Sequence, residues 1–258
     1  MTNLKNKIVF ITGATSGIGK SCANIFANEG ANLILCARRY ELLKEVEAEI
    51  IAKYGVKIYS FKLDVRNHDD VIKTIAEFPE EWKGIDILIN NAGLGRNFSP
   101  LHKDNMEGWE EMIDTNIKGV LYVTREVIPL MITHGSGHIV NLGSIAGHEA
   151  YPNGAVYCAT KFAVGAITKS MRAELVDKKI RVSTVDPGMV ETNFSNLRFY
   201  GDTEKAKNVY RGVDPLTGDD IADAILYCTT RPTHVNINEM LIMPSVQASS
   251  TVTYRRPE

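Results

Sequence analysis

The sequence predicts a doubly wound α/β sheet, and three observations carry that expectation. Short apolar runs alternate with amphipathic helical stretches from start to finish, the pattern of successive βαβ units. Two of the runs, KIVFIT and IDILIN, are apolar throughout instead of alternating, as strands covered on both faces must be. A glycine-rich turn, Thr12-Gly13-Ala14-Thr15-Ser16-Gly17-Ile18-Gly19, follows the first run and leads directly into the helical stretch KSCANIFANEG. Together these predict one Rossmann-type domain over residues 1–258, about seven parallel strands with helices on both faces.

The strands are expected, in order, at 7–12, 31–36, 56–63, 85–90, 137–142, 180–185 and 239–243, with helices filling the intervals. Neither repeats nor low-complexity segments nor a linker interrupt the series. Residues 194–219 carry weak periodicity and several aromatic and charged side chains, so they read as helical excursions forming a lid over the substrate.

Composition narrows the function class. Of 258 residues, 44% are apolar, enough for a large core, and the net charge of -2 gives no electrostatic ground for nucleic acid or an anionic membrane. Nothing approaches the roughly 18 consecutive apolar residues of a membrane span, and the N-terminal apolar run stops at the glycine turn with no cleavage pattern after it. A cytoplasmic, small-molecule-directed protein is expected. Cys22, Cys36, Cys158 and Cys228 are widely spaced and read as small core residues. Glycines between His134 and His138 argue against a helical metal face, so no metal is assigned.

The chemistry is expected at Tyr157 and Lys161 in YCATK. Residues four apart share a helix face, which brings the ammonium beside the phenol. An opposite charge nearby lowers a pKa by roughly 1–3 units, so Lys161 is predicted to let Tyr157 exchange a proton near neutrality as a general acid–base. At the other end of the site, glycines of the first turn, Gly13 and Gly19 among them, would let a pyrophosphate approach the start of the following helix. Arg38 and Arg39 end the second strand, where an acidic residue would select NAD; arginines suit the 2′-phosphate of NADP. Asp64 is placed to meet the adenine edge.

With the glycine turn, Asn90-Asn91-Ala92-Gly93, Asn116, Ser144, Tyr157 and Lys161 in this order, the chain resembles the short-chain dehydrogenase/reductase family. Within it, the strings GSIAGHEAYPNGAVYCATKFAVGAIT, DPGMVETNFS and AKNVYRGVDPL are similar to those of the NADP-dependent 3-hydroxy acid dehydrogenases, the serine 3-dehydrogenases among them. The resemblance implies hydride transfer between NADP(H) and the 3-hydroxyl or 3-oxo group of small acids such as L-serine, L-allo-threonine or 3-hydroxypropionate. It implies Tyr157 as acid–base, Lys161 holding the nicotinamide ribose, Ser144 binding the reacting oxygen and Asn116 anchoring a water for a proton relay. It further implies Gly13, Ser16, Ile18 and Gly19 around the phosphates, Asn90 near the ribose, Pro187 and Gly188 in the turn after the sixth strand, and Thr192 on the nicotinamide amide. A homotetramer assembled through the YCATK helix is also implied. For the acid group of such a substrate, Arg96, Arg198 and Arg211 are the candidates, and sequence does not choose among them. Two other readings compete: a broad NADPH-dependent carbonyl reductase, and a non-catalytic NADP(H)-sensing protein.

Overall fold

The computed structural model describes residues 3–257. Seven parallel strands run in the order β3-β2-β1-β4-β5-β6-β7: β1 Ile8–Thr12, β2 Asn32–Ala37, β3 Ile58–Lys62, β4 Ile85–Asn90, β5 Gly137–Leu142, β6 Ile180–Pro187 and β7 Glu239–Ile242. All seven expected strands are present, with β3 shorter than expected and β6 extended to Pro187.

The central strands divide their side chains between two cores by simple alternation. Val9 and Ile11 of β1 and Leu33 and Leu35 of β2 face one helical layer. Phe10, Ile34 and Cys36 face the other. A strand with apolar neighbours above and below has no polar position to spare, which explains the unbroken runs in the sequence.

The first layer holds α1 (Gly17–Asn28), α2 (Tyr40–Tyr54) and α9 (Gly218–Thr229), contributing Phe26, Leu43, Ile50 and Ile225. The opposite layer holds α3 (His68–Ala76), α5 (Gly119–His134) and α6 (Ala155–Glu174), contributing Val71, Val123, Val127 and Met171. Local chemistry fixes several ends. Asn67 accepts from the Asp70 amide at the start of α3, and Thr217 with Asp220 forms a reciprocal capping box on α9.

All four cysteines are buried. Burial pushes the Cys36 thiol up to about 12, so it behaves as an apolar core group.

Strand order reverses between β1 and β4, leaving a crevice at the carboxyl ends of those strands where neighbouring connections diverge. Three further pieces close over it. A short α4 (Met106–Ile113) runs through a widened turn, Asp114–Lys118, into α5. After β6 come α7 (Phe194–Arg198) and α8 (Thr203–Tyr210), the helical excursion expected from the sequence. Residues 247–255 return to the same region.

Candidate active site

The crevice is a cavity of about 860 Å³, within the roughly 300–1,000 Å³ typical of small-molecule sites. Its walls bring together Gly13, Ser16, Ile18, Arg38, Arg39 and Asp64 at one end, and Ser144, Tyr157, Lys161, Pro187, Gly188 and Thr192 at the other. Residues separated by well over a hundred positions therefore share one continuous surface.

At the glycine end, Gly13 has φ +71°, a left-handed backbone that a side chain would strain. Ser16 starts α1 from an extended conformation but makes no side-chain cap, so the first amides of the helix stay open to a ligand. Arg39 crosses from β2 and donates from Nη2 to Thr15 Oγ1 at 2.9 Å and Ser16 Oγ at 3.1 Å. Burial alone would raise the Asp64 pKa, but the paired donors of Arg66 and the nearby Arg38 hold it below the ordinary carboxylate value.

Gly19 does not line the cavity. A Cβ there would overlap the Gly13 carbonyl and the Asn91 amide, so its hydrogen is what lets α1 seat against the turn. Asn90 is also displaced from its expected role. It ends β4 with its side chain turned into the protein, donating to Thr124 Oγ1 at 2.8 Å and Asn141 Oδ1 at 2.9 Å. The next residue faces the crevice instead: Asn91 Nδ2 donates to Thr12 O at 2.8 Å and Gly13 O at 3.1 Å, tying the β4 exit to the glycine turn.

Asn116 lies in the widened turn before α5, 1% exposed. Its side chain accepts from the Leu94 amide and donates to Leu94 O at 2.8 Å and Thr160 Oγ1 at 3.1 Å. Both amide donors and one acceptor site of the carbonyl are thus engaged with protein partners. They clamp Leu94 to α6 one residue before Lys161.

The electrostatics at Tyr157 differ from the expectation. The phenol is enclosed, and burial raises its pKa above the ordinary value of 10. The opposing influences are the Arg198 guanidinium, 4.8 Å from the ring centroid, and the adjacent Ser144 hydroxyl. Lys161 stands 5.9 Å from that centroid and donates to Leu142 O at 2.8 Å. The expected i, i+4 face is present, but burial outweighs the opposing charges at the phenol, and the cation nearer the ring comes from α7. Ser144 accepts from the Ala146 amide at 3.1 Å and donates to Pro187 O at a long 3.5 Å.

Lys161 is 7% exposed, and burial pulls its pKa down to about 8, against the opposing pull of Asp186. Unfolded, it would return to 10.5. Below pH 8 both states carry the proton, and the folded one holds a poorly solvated cation; between about 8 and 10.5 the unfolded chain binds more protons, so stability climbs with pH. Lys161→Met should therefore raise stability at pH 7 by about 2 kcal/mol, after allowing for the donor lost to Leu142 O. The gain should fade toward pH 10. Thermal melts at both pH values check this, and destabilisation at pH 7 would overturn it.

Asp186, whose pKa is raised by burial, sits 3.2 Å from His148 Nε2, and His148 Nδ1 lies 3.8 Å from Glu239. These three side chains lie at the sheet end near Lys161.

The excursion is fastened in place. Tyr210 OH donates to Val190 O at 2.8 Å and meets Ser195 Oγ at 2.8 Å, and Phe194 packs on the Tyr157 ring at 5.7 Å. The late segment contributes Gln247, Ser250, Thr251, Thr253 and Arg255 to the cavity wall. Gln247 Oε1 accepts from the Met189 amide, and Arg255 donates to Arg211 O at 2.6 Å and Val209 O at 3.1 Å.

A strand-order switch with an open helix start at one end and a buried Ser-Tyr-Lys grouping at the other defines an oxidoreductase of the dinucleotide-binding α/β class. The family model described as short chain dehydrogenase matches residues 7–200, and the chain belongs to that family. The chain is 43% identical over 257 residues to an NADP-dependent 3-hydroxy acid dehydrogenase of Schizosaccharomyces pombe, with 99% of each chain covered. It is 42% identical over 250 residues to sulfoacetaldehyde reductase 2 of Chromohalobacter salexigens, covering 96% of this chain and 98% of that one. Among solved structures, the closed form of serine dehydrogenase complexed with NADP+ matches with a TM-score of 0.91 and 42% identity, over 97% of this chain and all of the other.

Proposed function

We propose that the protein transfers a hydride between NADP(H) and the 3-hydroxyl or 3-oxo group of small hydroxy acids, L-serine, L-allo-threonine and 3-hydroxypropionate being representative. The observation that carries the reading is the enclosure of Ser144, Tyr157 and Lys161 in the same cavity as Arg38, Arg39 and the glycine turn. The names of the relatives, acid dehydrogenases and an acid-aldehyde reductase, support the substrate class.

The residues present fit the dinucleotide. The backbone of Gly13, Ser16 and Ile18 would hold the phosphates, Arg38 and Arg39 the 2′-phosphate, and Asp64 the adenine end, while Lys161, Pro187, Gly188 and Thr192 line the nicotinamide end. The uncapped start of α1 and the arginine already resting on Thr15 and Ser16 are the features that favour this placement. Bound NADP+ supplies the hydride acceptor.

The chain's own groups handle the oxygen. In oxidation Tyr157, as phenolate, takes the hydroxyl proton; in reduction the phenol returns it. Ser144 holds the reacting oxygen in both directions, beside the ring. Asn116 ties α6 to Leu94 beside the site and would anchor a water for the proton relay. The α7–α8 excursion acts as a lid that excludes water from this end.

Among the described residues no helix is long and apolar enough to cross a membrane. The proposal extends to a cytoplasmic homotetramer assembled through the face of α6, where Phe162 is 45% exposed, and near β7, where Leu241 is 47% exposed. The function is tested by steady-state rates on the three acids and on neutral alcohols and ketones, with NADP(H) and NAD(H). The expected result is preference for the acids with NADP+; neutral ketones reduced far better than any acid would favour a broad carbonyl reductase, and cofactor binding without turnover a sensor.

A further inference from the structure

The substrate class proposed above requires a group that receives the acid, and this inference rests on that reading. Of the three candidate arginines, two are otherwise placed. Arg96 donates from Nε to Glu111 at 2.5 Å and from Nη1 to Leu197 O, so its fork is engaged in holding α7 to α4. Arg211 is not among the residues lining the cavity.

Arg198 differs in each respect. It closes α7 and borders the same cavity as Ser144 and Tyr157. Its guanidinium lies over two rings, 4.8 Å from the Tyr157 centroid and 5.0 Å from that of Phe194, and is seated on Gly95, where a Cβ would meet Nε at 2.9 Å. Nη2 reaches Tyr151 OH only at 3.5 Å. Nε is sealed from solvent and has no hydrogen-bond partner. Among the described residues no carboxylate pairs with it. A guanidinium on apolar rings with an idle buried donor is expensive unless an anion completes it.

We propose that Arg198 binds the anionic group of the substrate and so defines the class accepted: small alcohols or aldehydes bearing a carboxylate or a sulfonate one methylene away from the reacting carbon. The reacting oxygen lies between Ser144 and Tyr157, and Arg198 rests directly over the Tyr157 ring, so a substrate spanning the two needs only a short arm. A 3-hydroxy acid has that arm: its carboxylate carbon is two bonds from the carbinol carbon. A sulfonate presents the same pair of acceptor oxygens to a planar fork. Tyr151 and Phe194 wall the remainder, which favours a small substrate.

The test compares wild type with Arg198→Met and Arg198→Lys on 3-hydroxypropionate, isethionate and 1-propanol with NADP+. For Arg198→Met, kcat/KM on the two anionic alcohols should fall about 100-fold, mainly through KM, the size of a lost charge-assisted pair. The loss on 1-propanol should be only several-fold and lie in kcat and its pH profile, since the cation also favours the Tyr157 phenolate. Arg198→Lys, which keeps the charge but not the fork, should recover part of the KM. Calorimetric titration of malonate into the NADP+-loaded enzyme should show at least tenfold weaker binding for Arg198→Met. Equal losses on 1-propanol and the acids, or unchanged malonate affinity, would overturn the assignment. If Arg198→Met does not fold, Arg198→Lys decides: an unaltered KM for 3-hydroxypropionate is fatal to it. Absence of turnover on isethionate removes the sulfonate half. Wild type showing no preference for acids sinks the functional reading itself, whereas a preference that survives in Arg198→Met sinks only the role of Arg198.

Discussion

Replacing Tyr157 by phenylalanine should lower kcat by roughly 10²–10⁴, the range that a positioned proton donor or acceptor contributes. The change removes one oxygen and leaves the packing of the ring on Phe194 and beneath Arg198 intact, so thermal stability and NADPH affinity should stay close to wild type. A direction follows from the pKa. Burial holds the phenol above 10 in the free protein, so kcat/KM for oxidation should climb with pH as the phenolate fraction grows. Steady-state rates across pH, paired with fluorescence titration of NADPH, check both halves. Activity within tenfold of wild type in the phenylalanine variant would remove Tyr157 from the mechanism.

Gly19→Ala should damage the other end of the cavity. The added methyl overlaps the Gly13 carbonyl and the Asn91 side chain, neither of which can retreat without opening the turn between β1 and α1. Overpacking of this kind destabilises by about 1–3 kcal/mol, and backbone on the far side of the clash puts the expected value near the upper end. Because the displaced turn is the one proposed to hold the phosphates, NADPH affinity should also fall by at least about tenfold. Denaturant unfolding and nucleotide titration measure the two effects. A variant with wild-type stability would mean that α1 slides freely along the turn.

Most of the framework was legible in the sequence because it depends on periodicity and on local backbone demands. Runs such as KIVFIT and IDILIN can be satisfied only between two helical layers, and the glycine turn can follow only a strand. What sequence could not supply was direction. Asn90 and Asn91 are adjacent and chemically identical, yet one points into the sheet and the other at Gly13; the parity of β4 decides between them, and the strand ends at that residue. The motif assigns Gly19 to the phosphates, whereas in the structure its missing side chain lets α1 pack against the turn. The spacing of Tyr157 and Lys161 gives their shared face, but not the burial that holds the phenol above its ordinary value. Spacing carries no information about burial, and none about a cation arriving from α7, forty-one residues after the tyrosine.

The stretch from Gln247 to Arg255 has a consequence for how the protein comes into being. Everything proposed to hold the nucleotide's adenosine half lies between Gly13 and Asp64, whereas the cavity shared with Tyr157 is finished by residues some two hundred positions later. A domain folds as a unit, and α1, whose start would meet the phosphates, is covered by Ile221 and Ile225 of α9 in the same core. Competence to capture a coenzyme and competence to discriminate among metabolites are thus acquired together, when one cooperative core closes.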